Sequence, residues 1–410
     1  MSPNPDVHPI AFGQRMQILR ERRGISRPVL AGLLARSPSW VKQVENGKIG
    51  TPGLPMMLRI AEVLRIRSLS DLTGDQSMAV EMFIGPGHKL LPAVRDAVNT
   101  LSISTDQEAP SPAHLRARLA RAWAARHSAP NHREVVGALL PSLIDDAERA
   151  VRQADRISQR RSAQAALSEV YGLSQFFLAY QPDSSLLWRV AERAMVAAQD
   201  SGDAHTIGVA AWLLTQAHRD AGGFDAADAV TNETLRFLES AMPDSTSDVR
   251  AIVGALTFEA GHTAARRGDA GAAWRYWDGA RAIAQSLPAD YYHPITSFSR
   301  AIMRPHGVTV AVELHAGGES VRQAVAADTA AIPSRPRLAR HRIEAARGYH
   351  LDGQPEAALA TLGQAFEAAP ETIRYNGYAR RIMLEETEAK SPARRRRASE
   401  LAVKVGLLAA

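Results

Sequence analysis

The chain has 410 residues, too many for one compact core, so it needs two or more domains or a repeat array. It has no cysteine, which excludes disulfides, cysteine-ligated zinc and cysteine nucleophiles together. The formal net charge is +6, and residues 1–75 hold eleven Lys and Arg against six Asp and Glu, so nearly all the excess sits there, where attraction to phosphate would need it. The opening MSPNPDVHPI is polar and proline-rich without a signal-peptide core, and no apolar run is long enough to span a bilayer. These features read as a cytoplasmic protein of bacterial type.

In chain order, Ile10 to Arg23 predicts a first helix, with Phe12, Met16 and Leu19 at helical spacing and Gly24 as the stop. Ser26 caps a second, whose apolar positions are Val29, Leu30, Leu33 and Leu34, and Ala35-Arg36 turns the chain into Ser37. The third runs from Ser37, an N-cap, through Pro38 at N1 to Gly47, a C′ glycine. Val41 and Val44 share its inner face, while Ser39, Lys42 and Gln43 are thrown outward with Trp40 at the edge. Met57, Ile60, Ala61 and Leu64 make a fourth, and Leu69 and Leu72 a short fifth piece. Alone, a serine–lysine–glutamine stripe is an ordinary solvated helix face. Following a tight turn within five short helices, it fits a helix-turn-helix that reads bases, and glutamine can pair bidentately with adenine.

Residues 10–74, including FGQRMQILRERRGISRPVLAGLLARSPSWVKQVENGKIG, resemble the phage Cro/lambda-repressor-like (XRE) helix-turn-helix family. Spacing, caps and apolar register all agree with it. In that family the Ser-x-Ser-aromatic-Val run is the recognition helix. The resemblance implies DNA contacts from Arg27, Ser37, Ser39, Trp40, Lys42, Gln43, Asn46, Lys48 and Thr51. Ser39, Lys42 and Gln43 would face the groove, with Arg27, Asn46, Lys48 and Thr51 near phosphates. Two departures matter: many relatives carry glutamine where Arg27 stands and glycine where Ala35 stands. Arg27 can grip phosphate but cannot copy a glutamine's bracing of the recognition helix, so base preference does not transfer. Arg59 and Arg65 read as solvated charges.

Residues 76–112 read as a linker with a short helix between Leu90 and Leu101, after Gly85-Pro-Gly87. From Ala113 onward the chain reads as helical throughout, with turns at Asp200-Ser-Gly202, Gly222-Gly223, Arg267-Gly-Asp269 and Asp352-Gly353. The clearest repeat unit, 339–370, places Ala345, Ala346, Tyr349, Gly353, Ala358, Leu362, Ala365 and Pro370 in a tetratricopeptide pattern. A second fits Gly261, Gly268, Ala273, Trp277 and Ala280, and a third, less well, Leu214, His218, Gly222 and Ala227. The predicted fold is all-α: a five-helix XRE-type domain over 1–75, the linker, and a TPR-like α-solenoid of helix pairs over 113–410. The whole resembles bacterial regulators that join an XRE domain to a TPR-like sensor or dimerisation domain.

No phosphate loop, dinucleotide fingerprint, nucleophile elbow or metalloprotease helix is present, so the reading is not an enzyme, with no cofactor and no metal. Asp145-Asp146 and Glu385-Glu386 are adjacent in sequence and diverge on a helix surface. Arg394 to Arg397 read as a solvated or acid-paired face. The tetratricopeptide resemblance implies a groove stripe of Trp212, Gln216 and Arg219, then Phe258, His262 and Arg266, then Arg347 and His350. Such a stripe suits a small amphipathic or carboxylated molecule or an extended peptide. Trp212 and Phe258 read equally well as fillers between helix pairs. One recognition helix reads only a few base pairs, which predicts a homodimer on an inverted repeat of double-stranded DNA. The alternatives are a ligand-independent regulator and an adaptor whose repeats only self-associate or hold a partner protein.

Overall fold

The computed structural model describes residues 12–50, 52, 54–66, 72, 87–100, 107–240, 242 and 245–408. Helices dominate and no strand occurs among these residues. They fall into two compact units, one within 1–85 and 381–399, the other within 86–380 and 400–410.

The first unit opens with α1 (Phe12–Arg22), α2 (Arg27–Leu33), α3 (Pro38–Glu45) and α4 (Leu54–Val63). Ser26 accepts the Val29 N–H and Ser37 accepts the Trp40 N–H, so the expected caps start α2 and α3. Gly47 lies at φ +68°, and the Lys48 N–H closes the end of α3 on the Gln43 carbonyl at 2.8 Å. Met16, Leu30, Leu34, Val41, Val44, Ile60, Leu64 and Leu72 meet in one core. Val29 stays 52% exposed, because Leu30 and Leu34, four apart, define the buried face of α2 and Val29 stands one helical step off it. Gly13 lets α1 cross α3 closely: a Cβ there would stand 2.0 Å from the Val44 carbonyl oxygen. Ala35, in the helix-turn-helix turn, sits at φ +51°, where glycine is the natural occupant.

Arg59 corrects the sequence reading. Its side chain is largely enclosed, donates to the Leu33 carbonyl and approaches Glu385 at 3.9 Å. Arg65 is half-buried, with its Nη1 closed off from solvent, so it too is no solvated surface charge. In the same unit Arg381 pairs with Glu62 at 2.7 Å. Arg394 pairs with Glu386 and Arg395 bonds the carbonyls of Ala389 and Lys390, in keeping with an acid-paired helix face.

The second unit begins with α5 (Leu91–Asn99), which buries Leu91, Val94 and Val98 and packs on α7; these residues are core, not a bare joint. Helix pairs follow: α6 (Pro112–Ser128) with α7 (His132–Arg152), α8 (Ile157–Leu178) with α9 (Ser184–Ser201), α10 (Ala204–Asp220) with α11 (Phe224–Glu239), and α12 (Ser247–Arg267) with α13 (Ala270–Ser286). Then come α14 (Met303–Glu313) with α15 (Gly317–Val325) and α16 (Arg335–Leu351) with α17 (Pro355–Ala368). The chain ends in α18 (Pro370–Arg374), α19 (Gly377–Thr387) and α20 (Pro392–Val405). The turns expected at 202, 222, 268 and 353 each carry a glycine at positive φ. Ala346, Ala358, Leu362 and Ala365 are fully buried where α16 meets α17, and Ala273, Trp277 and Ala280 are buried on α13. Small residues on the facing helices allow that close approach, as the repeat pattern requires. One apolar cluster runs without a break from Leu91 to Ile332.

Candidate nucleic-acid interface and ligand site

Helix α3 has two chemically opposite faces. Val41, Val44 and Glu45 are buried, whereas Ser39, Lys42, Gln43, Asn46 and Lys48 are exposed. Gln43 Nε2 lies 3.5 Å from Ser39 Oγ, so the two polar groups stand one turn apart on the outer face. Trp40 is half-buried at the edge, beneath the Arg36 guanidinium at 5.5 Å. Ser37 is occupied as the cap. Thr51 lies outside the described residues.

What fixes this helix is a charge triad that the sequence did not disclose. The Glu45 side chain is wholly buried and receives Arg20 Nε at 2.5 Å on one oxygen and Arg27 Nε at 2.5 Å on the other. Glu45 holds the Arg20 pKa above its ordinary value through that hydrogen bond. Arg27 does brace α3, through Glu45, by a route different from a glutamine's. The signal was Arg20, one residue in a basic run and 25 positions from its partner.

Residues 11–70 match the family model described as "Helix-turn-helix domain". That segment is a helix-turn-helix domain. No curated protein matches the chain. Among solved structures, PlcR of Bacillus thuringiensis in complex with the peptide PapR7 and DNA is similar at 10% identity and TM-score 0.30, over 86% of this chain and 98% of that one. The apo competence regulator ComR of Streptococcus vestibularis gives 14% identity and TM-score 0.28, over 73% and 97%. ComR from S. thermophilus, in complex with DNA and its signalling peptide ComS, gives 14% and 0.22, over 67% and 93%.

The stripe expected for a ligand is brought together, but largely as an internal network. Trp212 is buried and leans on Phe176, with ring centroids 6.1 Å apart. Gln216 is half-buried with its amide 3.4 Å from the Trp212 carbonyl. Arg219 is buried and ion-paired with Glu259; burial pulls its pKa down, but Glu259 outweighs that, so the guanidinium stays charged. Phe258 stacks on His306 at 3.6 Å. His262, beside it, is held neutral by burial and by Arg219, Arg266 and Arg347. Arg266 and Arg347 converge on Glu313 at 3.4 and 3.0 Å, and Arg347 also bonds Glu344 and lies 3.6 Å from the Tyr378 ring. His350 is half-buried at the end of α16.

A second cluster brings His88, Glu134 and Glu371 within 4.8 Å, close enough to suggest a cation. The hydrogen bonds argue otherwise. Glu371 accepts the N–H groups of Arg133 and Glu134 at 2.6 and 3.3 Å, capping α7, and Lys89 holds Glu134 at 2.9 Å. His88 Nδ1 accepts the Leu90 N–H at 3.2 Å, so Nε2 carries the proton and directs a hydrogen, not a lone pair, at the carboxylates. This is a helix cap.

Proposed function

We propose that the chain is a sequence-specific transcriptional regulator that reads double-stranded operator DNA as a homodimer and takes a signalling ligand in its second unit. One observation carries the first half: a recognition helix locked from beneath by Val41, Val44 and the Arg20–Glu45–Arg27 triad, with Ser39, Lys42 and Gln43 turned outward. Phosphate contacts fall to Asn46 and Lys48, with Ser37, Trp40 and Arg27 on the same unit, and to Thr51 as an expectation from the sequence alone. A dimer would set two such helices roughly 34 Å apart, or a multiple of that, on an inverted repeat. The experiment is selection from a randomised duplex library by the full chain. Enrichment of a two-fold symmetric site supports the reading, and no enrichment at physiological salt overturns it.

The ligand half is supported by the convergence of charged and aromatic side chains inside the second unit, among them Arg219, His262, Arg266 and Arg347. An alternative has its own support: those groups already pair with Glu259, Glu313 and Glu344, as a purely structural network would. Under that second reading the repeats serve assembly alone. The two separate on coupling: a ligand that raises the melting temperature must also change operator affinity, and DNA must change ligand affinity by the same factor.

A further inference from the structure

Charged side chains withdrawn from water are normally found with a partner, because desolvation without compensation is costly. Arg20, Arg219 and Arg347 obey this, each with a carboxylate. Arg126 on α6 and Arg337 on α16 do not. The Nε and Nη1 of Arg126 and the Nε of Arg337 are closed off from solvent and make no hydrogen bond, and neither arginine forms an ion pair with any described acid. The two lie near enough to repel: burial first, then neighbouring Arg133 and Arg337, pulls the Arg126 pKa down to about 9. Burial lowers Arg337 as well. The acids that act on Arg337 from a distance, Glu259 and Glu344, are already bonded to Arg219 and to Arg347 and Arg340.

The surroundings add donors and an apolar wall. Tyr292 is close enough to both guanidiniums, and to Ser297 and Ser334, to feel their electrostatic influence. His127 Nδ1 meets Ser334 Oγ at 2.9 Å, joining α6 to the start of α16. Arg126 lies over the Phe176 ring at 4.1 Å, and that ring packs edge-on to Trp123 and leans on Trp212. As whole residues Arg126 and Arg337 each keep part of their surface exposed, so neither is sealed entirely within the core.

We infer that Arg126 and Arg337 form the anion-binding end of a ligand site, taking the carboxylate of an amphipathic molecule whose apolar body lies along Trp123, Phe176 and Trp212. This rests on the ligand-binding reading above and moves its anchor away from Arg219 and Arg266, whose charges are already matched. A carboxylate would accept from the forked N–H groups, supply the missing negative charge and relieve the repulsion between the two arginines. The carboxylate can belong to a small acid or to a peptide C-terminus.

The test uses the full chain, thermal unfolding and calorimetry, with benzoate, 4-phenylbutyrate, decanoate and N-acetyl-Leu-Phe, each beside its carboxamide, at millimolar concentration. At least one acid should raise the melting temperature by roughly 2–3 °C, as expected for ligand well above its dissociation constant, while its amide should not. An effect with the small acids alone or the peptide alone identifies the source of the carboxylate. R126M/R337M should abolish the shift while keeping the helical circular dichroism. If that variant does not fold, R126K, which keeps the charge and loses the fork, should weaken binding severalfold. No shift with any acid, equal shifts for acid and amide, or an undiminished shift in the variants overturns the assignment. The broader sensor reading fails separately. If a cell extract moves melting temperature and operator affinity together in wild type and in R126M/R337M alike, the sensor stands and this anchor falls.

Discussion

The two units treat buried arginine in opposite ways. In the helix-turn-helix unit, Arg20 and Arg27 share a single carboxylate, Glu45, and the result is a fixed α3. In the second unit, Arg219, Arg266 and Arg347 are matched by Glu259 and Glu313, but Arg126 and Arg337 keep buried N–H groups without a partner and form no ion pair with a described acid. A matched charge specifies geometry. An unmatched one costs free energy until something supplies its counterion, which is the property of a binding site rather than a brace.

The largest effect should come from unmatching a matched charge. Glu45→Ala would strand Arg20 and Arg27, one buried and one half-buried, and should destabilise the first unit by about 3–5 kcal/mol. Thermal unfolding should show an early transition, with specific and non-specific DNA binding lost together. Glu259→Ala should do the same to the second unit by stranding Arg219, while leaving DNA binding by the first unit intact. Stability equal to wild type in either variant would remove the distinction between braces and sites.

Acid should act mainly on the second unit. Burial lowers His127 and His341 to about 4 and His293 to about 3, the neighbouring Arg126, Arg337 and His205 adding to the effect. Their ordinary value in an unfolded chain is about 6.5. Between these limits the unfolded state binds more protons, so stability rises with pH and is lost as pH falls from about 6.5 toward 4. A melting temperature that is flat across that window would contradict the burial of these rings. The smallest effect is local: Ala35→Gly should relieve the left-handed turn and stabilise the first unit by about 1 kcal/mol, read as a small upward shift in its unfolding.

Much of the local structure was legible. Ser26, Ser37, Pro38 and Gly47 announce the ends of α2 and α3, because capping chemistry acts within a few residues. The turn glycines at 202, 222, 268 and 353 did the same for the helix pairs. Relations across long sequence separations were not legible. Nothing in a run of arginines says that Arg20 will meet Glu45, or that Val29 will be left outside while Leu30 goes in. The site around Arg126 is assembled from segments 207 residues apart at the His127–Ser334 contact. Pattern reading chose the groove residues by helix register alone, which locates the interior but cannot tell a satisfied arginine from an unsatisfied one.

The most direct test of the account is the base preference carried by Gln43. The variant Gln43→Ala removes only an exposed side chain from α3, leaving Val41, Val44 and the Glu45 triad beneath it. In a randomised-site selection it should lose about 1–3 kcal/mol of discrimination at one position of each half-site, with non-specific affinity, salt dependence and helical circular dichroism unchanged. A variant that keeps the wild-type preference at every position would show that this face of α3 does not read the DNA.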